Sequence, residues 1–135
     1  NAGTVNEQGM ETIQTMTQLE YLTVSGRLEN LEGFSGFQRL KMLDVSMSRL
    51  KSLEGVEKLP HLEYMGFGYT EPDSLEPLTR NKVFYIAEMV GAEIEDYTPL
   101  LRCENLREVH VGLSQKEETE RQLKGSGLKI YAWEG

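Results

Sequence analysis

The histidines, the cysteine and one acidic cluster are the residues of this sequence whose chemistry could support catalysis or metal binding. The chain contains two histidines, His61 and His110, and a single cysteine, Cys103. A catalytic histidine needs a nucleophile or an acid within hydrogen-bond reach, and a zinc site needs several nitrogen or sulfur ligands. The sequence has no HxxxH pair, no paired-aspartate calcium loop and no glycine-rich phosphate-binding motif. The acidic residues between 117 and 120 are typical of the solvated start of a helix. We therefore expect no catalytic, metal or cofactor site, and no enzyme.

A repeating apolar pattern is the element of the sequence that would position these residues. An apolar residue returns once after 21 residues and then four times after 22, at Leu19, Leu40, Leu62, Phe84, Leu106 and Leu128. We call each such unit a coil and number its residues from this one, which is position 1. Positions 4 and 6 are also apolar or aromatic in all six coils. A spacing of two indicates a strand with one buried face, so the pattern predicts six short parallel strands.

The rest of each coil has a different spacing. In the second coil apolar residues fall at every third position, at Leu50, Leu53, Val56 and Leu59, which is typical of tight 3₁₀ turns. The equivalent residues of the fourth coil are Ile94, Tyr97, Leu100 and Cys103. Cys103 is therefore predicted to be a small core residue rather than a reactive thiol. In the third coil Pro72 and Asn81 replace apolar residues, which predicts an irregular return segment.

Residues 50–62 and 94–106 are similar to the IxxIxxLxxLxxL return motif of the leucine-rich repeat proteins. The sequence resembles in particular the internalin-like subfamily with repeats of 22 residues, over about residues 10 to 133. This resemblance implies an α/β fold, a right-handed solenoid with about six short parallel strands on its concave face and 3₁₀ or irregular returns on its convex face. The asparagine that the family has at position 9 is replaced by Arg27, Ser48, Thr70, Ala92 and Ser114. We therefore expect fewer hydrogen bonds between coils and only moderate stability.

The chain is expected to form one domain over residues 1–135. Residues 7–18 are predicted to be an N-terminal cap or partial repeat, because apolar residues there again fall at every third position, and residues 1–6 are predicted to be loose. The repeats occupy 19–113. Residues 114–135 are predicted to form a C-terminal cap, with a helix over 117–124 and a last strand from Leu128. In that strand the 22-residue spacing predicts Tyr131 and Trp133 inward, and Ile130 and Ala132 outward.

Positions 3 and 5 of each strand must point away from the core, because side chains alternate between the two faces of a strand. Six strands stacked at about 4.8 Å give a face about 24 Å long. We predict that this face binds a protein partner through Tyr21, Thr23, Met42, Asp44, Tyr64, Gly66, Ile86, Glu88, Glu108 and His110. Tyrosine, methionine and isoleucine would be the apolar anchors, and the carboxylates could pair with basic groups. At position 8, Met47, Tyr69 and Leu113 either extend this patch along the rim or pack against their own loops.

The charge of the chain limits the kinds of partner. It has 22 acidic and 14 basic residues, a net charge of −8, which repels nucleic acid and anionic membrane surfaces. This charge would attract a partly basic protein, or it serves only to keep the fold in solution. No apolar run approaches the length of a membrane span. The single cysteine favours a reducing, cytoplasmic compartment, and a secreted or cell-surface location remains open if a leader is removed.

Together these features predict a monomeric, non-catalytic module for protein–protein interaction, and an immunity- or adaptor-like role is one form of this function. The alternative is a structural spacer, or an adhesin-type fragment of a larger bacterial surface repeat protein. The leucine pattern is specific for the fold and carries no information on the partner.

Overall fold

The strands of this protein form one parallel sheet, ordered as they occur in the chain. The computed structural model describes residues 2–6 and 16–134. In this part of the chain seven strands lie side by side, β1 Ala2–Asn6, β2 Tyr21–Ser25, β3 Met42–Asp44, β4 Tyr64–Gly66, β5 Ile86–Glu88, β6 Glu108–Gly112 and β7 Lys129–Trp133. The six predicted strands are confirmed as β2 to β7.

The strand β1 was not predicted. It pairs in parallel with β2, from Ala2 opposite Tyr21 to Asn6 opposite Ser25. The expectation that residues 1–6 are loose is therefore wrong for 2–6. The N-terminal cap predicted over 7–18 lies mostly outside the described residues.

The return segments turn through short 3₁₀ helices, as the spacing of three predicts. They span Glu32–Phe34, Val56–Lys58, Glu76–Arg80 and Thr98–Arg102. The return of the third coil is not irregular, because its 3₁₀ helix packs between those of the second and fourth coils. Asn81 is buried there, where its amide nitrogen donates to the carbonyls of Val56 and Leu59, both at 3.0 Å. Its amide oxygen accepts from the backbone amides of Val83 and Phe84, just before β5. The Asn81 side chain therefore connects the second coil to the segment that leads into β5.

The core lies between the sheet and the returns. Positions 1, 4 and 6 of the coils from Leu19 to Val111 are buried together with the apolar residues of the returns. Phe34 and Phe37 meet edge to face with ring centroids 5.7 Å apart. Cys103 is buried in this core, as predicted, and burial raises the pKa of its thiol to about 12.

The hydroxyl groups of Ser48 and Thr70 at position 9 bond within their own coils rather than between coils. Ser48 Oγ donates to the carbonyl of Val45 at 2.6 Å and accepts from the amide of Leu50 at 3.3 Å. Thr70 Oγ1 donates in the same way to the carbonyl of Phe67. Among the described residues, no buried side-chain nitrogen or oxygen lacks a hydrogen-bond partner. The asparagine ladder is thus replaced by local bonds, and the predicted moderate stability stays a prediction.

The C-terminal cap contains a 3₁₀ turn, Leu113–Gln115, and the helix α1, Lys116–Gln122. Thr119 and Leu123 are buried and attach α1 to the end of the core. The predicted helix is confirmed, and it ends two residues earlier than the sequence pattern indicates.

The last strand has the opposite orientation to the one predicted. In β7, Ile130 lies opposite Val109 and Tyr131 lies opposite His110. Ile130 and Ala132 therefore pack against the core, whereas Tyr131 and Trp133 are exposed on the concave face. This coil advances by 21 residues instead of 22, and a shift of one residue exchanges the two faces of a strand. The predicted inward positions of Tyr131 and Trp133, and the outward positions of Ile130 and Ala132, are wrong.

Candidate functional site

The concave face of the sheet brings the ten predicted partner-binding residues together in two adjacent columns. Pairing of neighbouring strands places the residues at position 3 in one row, Tyr21, Met42, Tyr64, Ile86 and Glu108. The residues at position 5 form the second row, Thr23, Asp44, Gly66, Glu88 and His110. The columns continue on β7 with Lys129 and Tyr131, which the sequence pattern had assigned differently.

The first column is an apolar strip. Tyr21 is 45% exposed at its end, and Met42, Tyr64 and Ile86 are half-buried against one another. Side chains at paired positions of neighbouring strands cover part of each other's surface. The strip is therefore continuous and still accessible from the solvent.

Two buried glycines of the third coil leave room beside this strip for side chains of the neighbouring strands. A Cβ atom at Gly66 would lie 3.0 Å from Asp44 Oδ1 and 3.2 Å from Tyr64 Cε1. A Cβ atom at Gly68 would lie 2.6 Å from the carbonyl oxygen of Val90 and 3.4 Å from the carboxylate of Glu88. The carboxylates of Asp44 and Glu88 thus stand over the two glycines from the strands on either side. We call Gly66, Gly68, Asp44 and Glu88 the glycine notch.

The carboxylates of the glycine notch are held by local hydrogen bonds. Asp44 Oδ1 accepts from the amide of Ser46 at 2.9 Å, and Glu88 Oε1 accepts from the amide of Val90 at 2.9 Å. Ser46 connects the two sides, since its hydroxyl accepts from the Gly68 amide at 2.8 Å and lies 3.5 Å from Glu88 Oε2. These bonds fix both carboxylates in place, which lowers the entropic cost of using them in recognition.

The two carboxylates of the notch affect each other's surroundings and the Tyr64 hydroxyl. Burial raises the pKa of Glu88, the Val90 amide opposes this shift, and the charge of Asp44 adds to it. Burial also raises the pKa of Tyr64 to about 12, and the charges of Glu88 and Asp44 contribute. Within the described residues, neither Asp44 nor Glu88 is in an ion pair with lysine or arginine. The carboxylates of the notch can therefore accept hydrogen bonds from a cationic donor.

The C-terminal end of the face is aromatic. Trp133 Nε1 donates to His110 Nδ1 at 3.0 Å, and the Tyr131 ring stacks on His110 with centroids 4.9 Å apart. His110 Nε2 lies 3.4 Å from Glu108 Oε1. Both ring nitrogens of His110 are thus engaged in contacts of the face itself, and His61 lies exposed on the convex side. Sequence reasoning missed this cluster because it placed Trp133 and Tyr131 in the core.

The rim beside the strand ends carries the three large apolar residues of position 8. Met47 is 72% exposed, Tyr69 51% and Leu113 55%. Met47 and Tyr69 have left-handed backbones, with φ of 62° and 54°. The same position is glycine in the first and fourth coils, where Gly26 and Gly91 have φ of 93° and 76°. In the first four coils this position is left-handed, and two of these coils fill it with an exposed apolar side chain. In the fifth coil Leu113 instead begins a 3₁₀ turn.

In the part of the chain that the structure describes, no three metal-ligating side chains lie close enough to hold an ion. Over the same residues no helix has the length and hydrophobicity to cross a bilayer.

Comparison with known proteins identifies the fold. No protein-family profile and no curated protein sequence matches the chain. It is similar in structure to internalin C2 from Listeria monocytogenes, with a TM-score of 0.66 and 18% identity over 90% of this chain and 54% of that chain. It is also similar to the internalin InlF from the same organism, with a TM-score of 0.56 and 14% identity over 90% of this chain and 52% of that chain. The chain spans about half the length of these structures, and their likeness confirms the predicted leucine-rich repeat solenoid of the internalin-like type.

Proposed function

We propose that this leucine-rich repeat protein is a non-catalytic module that binds a protein partner on its concave face. The observation that carries the proposal is the glycine notch beside the continuous apolar strip. An exposed strip of tyrosine, methionine and isoleucine offers apolar area, and tyrosine is among the residues enriched at the centre of interfaces. The two kinds of surface lie on adjacent columns, so one partner segment can contact both.

The chemistry of the notch favours an arginine or lysine from the partner. Asp44 and Glu88 are held by backbone amides and half-buried, and in the described part of the chain neither is in an ion pair with lysine or arginine. A guanidinium group placed beside these two carboxylates would form charge-assisted hydrogen bonds, with the Tyr64 ring next to it. An immunity- or adaptor-like role, in which the module covers a partly basic protein, is the form of the function that this chemistry supports best.

Site-specific photo-cross-linking in the source cells tests the proposal. A benzophenone amino acid at Tyr21 should capture a partner, whereas the same group at His61 on the convex side should capture none. With the captured protein, Asp44→Asn with Glu88→Gln should raise Kd at least about tenfold, which corresponds to about 1.4 kcal/mol. The matched control, Glu32→Gln with Glu117→Gln, removes the same charge away from the face and should change Kd by less than about twofold. An equal loss of affinity in the two double variants would refute a role for the notch.

A structural role is the second candidate, because the match covers only 54% and 52% of the two internalin chains. In that case the chain would act as a spacer or adhesin-type fragment within a longer repeat array. Cross-links from neither face, with normal folding of both labelled proteins, would favour this alternative.

A further inference from the structure

The rim of the solenoid carries a second exposed apolar surface, separate from the concave columns. Met47, Tyr69 and Leu113 form it, and we call these three residues the rim ridge. They belong to the second, third and fifth coils, and Gly91 has the same position in the fourth. The coils are stacked here, since the amide of Met47 donates to the carbonyl of Gly68 and the amide of Tyr69 donates to that of Val90. The Tyr69 ring lies over Gly91, where a Cβ atom would be 2.5 Å from Tyr69 Cε1, so the absence of a side chain at Gly91 leaves room for the ring.

The residues of the rim ridge are exposed although the fold does not require it. Glycine occupies the same left-handed position in the first and fourth coils, so the turn forms without a side chain. A left-handed residue other than glycine costs about 1 to 2 kcal/mol, and Met47 recovers little of this by packing because it is 72% exposed. The two large side chains are therefore retained at a cost to folding, which points to a contact outside the chain.

A depression with a carboxylate lies between two members of the ridge. Tyr69 and Leu113 line it together with Gly91, Gly112, Ser114 and Glu134. It has an apolar wall on either side, and the side chain of Glu134 lies at its border. An apolar side chain of a partner would fit between the two walls, with a positive group next to it.

The surface next to the ridge is an acidic groove over the third and fourth coils. Five of its lining residues are acidic, Glu71, Asp73, Glu93, Glu95 and Asp96, and none is basic. In the described residues the glutamates on the convex side, such as Glu54 and Glu76, form ion pairs with arginine, but none of the groove carboxylates forms an ion pair. Two cations of the preceding coil, Arg49 and Lys51, line a neighbouring depression together with Tyr69 and Glu71. Lys51 is already 3.9 Å from Glu29. At the other end of the groove, hydrogen bonds from Thr98 and the charge of Arg102 lower the pKa of Asp96.

We propose that the rim ridge and the acidic groove together bind a polypeptide segment that carries an apolar side chain flanked by lysine or arginine. The ridge supplies apolar contact area and the unpaired carboxylates supply charge complementarity. This surface lies beside the concave columns and does not depend on the notch, so the segment can belong to the same partner or to another one.

A random linear peptide library displayed on phage tests the proposal without knowledge of the partner. Peptides selected on the wild-type protein are counter-selected on the variant Met47→Gly with Tyr69→Gly, which places at both sites the residue that Gly26 and Gly91 already provide. Selected peptides should contain an apolar residue next to lysine or arginine. Synthetic copies should bind the double-glycine variant at least about tenfold more weakly, a loss of about 1.4 kcal/mol.

The groove charges are tested with matched variants. Glu71→Gln with Glu93→Gln should weaken peptide binding severalfold, whereas Glu117→Gln with Glu120→Gln on α1 should leave it within about twofold. Leu113→Ser tests the opposite wall of the depression at a residue without a left-handed backbone, and should also weaken binding. The proposal is overturned if no selected peptide depends on Met47 and Tyr69, or if the peptides show no excess of basic residues. Peptides that instead lose binding with Asp44→Asn and Glu88→Gln would support the concave face and reject the ridge.

Discussion

At the scale of single residues, the left-handed backbone at position 8 is expected to lower the stability of the fold. Met47 contributes little burial to the core, so its backbone conformation is mainly a cost. Met47→Gly should raise the free energy of unfolding relative to Met47→Ala by about 1 kcal/mol, because both variants remove the side chain and only glycine relieves the backbone. Urea denaturation of the two variants measures this difference. Equal stabilities would show that the turn does not impose the left-handed conformation.

The stability of the protein is expected to depend strongly on side-chain volume at the glycine notch. At Gly68 a Cβ atom would lie 2.6 Å from a backbone oxygen, so Gly68→Ala should destabilise the protein by about 1 to 3 kcal/mol. Gly36 has open space around the equivalent atom, and Gly36→Ala should change stability by less than about 0.5 kcal/mol. Thermal unfolding of both variants provides the comparison. Similar melting temperatures for the two would contradict the close approach of β4 and β5.

Glu88 is predicted to oppose folding when it is ionised. Its pKa is raised in the folded state by burial, so the folded protein binds this proton more tightly than the unfolded chain. Stability must then fall as the pH rises through the interval above the unfolded value of about 4.3. Glu88→Gln should be more stable than the wild type at neutral pH, and the difference should vanish below about pH 3.5. Urea midpoints of both proteins across this range measure the effect, and a wild type that is more stable at neutral pH would contradict it.

At the scale of elements, the accuracy of the sequence prediction depended on how polar the outward residues are. In β3, β5 and β6 the outward positions include Asp44, Glu88, Glu108 and His110, so only one orientation buries the apolar set. In β7 both alternating sets are apolar or aromatic apart from Lys129, and the pattern could not choose between them. The strand β1 gave no signal of the repeat, because Gly3 stands opposite Leu22, where the other coils have an apolar or aromatic residue at position 4. The positions of the ten predicted residues on the concave face followed from alternation alone. Of the glycine notch only Gly68 was missed, because it follows the strand and has no side chain to suggest a contact.

Gln115 replaces, at the C-terminal cap, the coil-to-coil bonds that the missing asparagines would supply. Its Oε1 accepts from the amides of Gly91 and Gly112 at 2.7 and 2.8 Å. Its Nε2 donates to the carbonyls of Met89 and Ala92 and to the Tyr97 hydroxyl, at 3.0 to 3.1 Å. One side chain thus connects the fourth coil, β6 and α1.

Gln115→Ala should therefore destabilise the fold by about 2 to 3 kcal/mol, since several polar groups at the coil interface lose their partner. Hydrogen exchange should show faster exchange of the Gly91 and Gly112 amides. Gln122→Ala is the control, because Gln122 also bridges the cap to the fourth coil but makes only two such bonds, to Tyr97 and Glu95. A loss no greater than in this control would show that Gln115 is not the main connection.

At the scale of the whole molecule, the buried residues of the described coils form one core that includes Cys103. The rate at which the Cys103 thiol is alkylated should therefore measure how often this core unfolds. The thiol is buried and its pKa is raised to about 12, so the reactive thiolate is scarce in the folded protein at neutral pH. Alkylation by iodoacetamide should be slow without denaturant and should accelerate in step with loss of the circular dichroism signal as urea is added. Rapid alkylation of the native protein would indicate that the convex side of the fourth coil opens independently of the rest.

The orientation of β7 has a practical consequence for the study of this protein. Trp133 is the single tryptophan of the chain, and it lies exposed on the concave face with its indole nitrogen bonded to His110. Occupation of that end of the face must change the environment of the indole. The protein therefore contains an intrinsic fluorescent probe at its candidate binding surface, and titrations can be followed by emission without any added label.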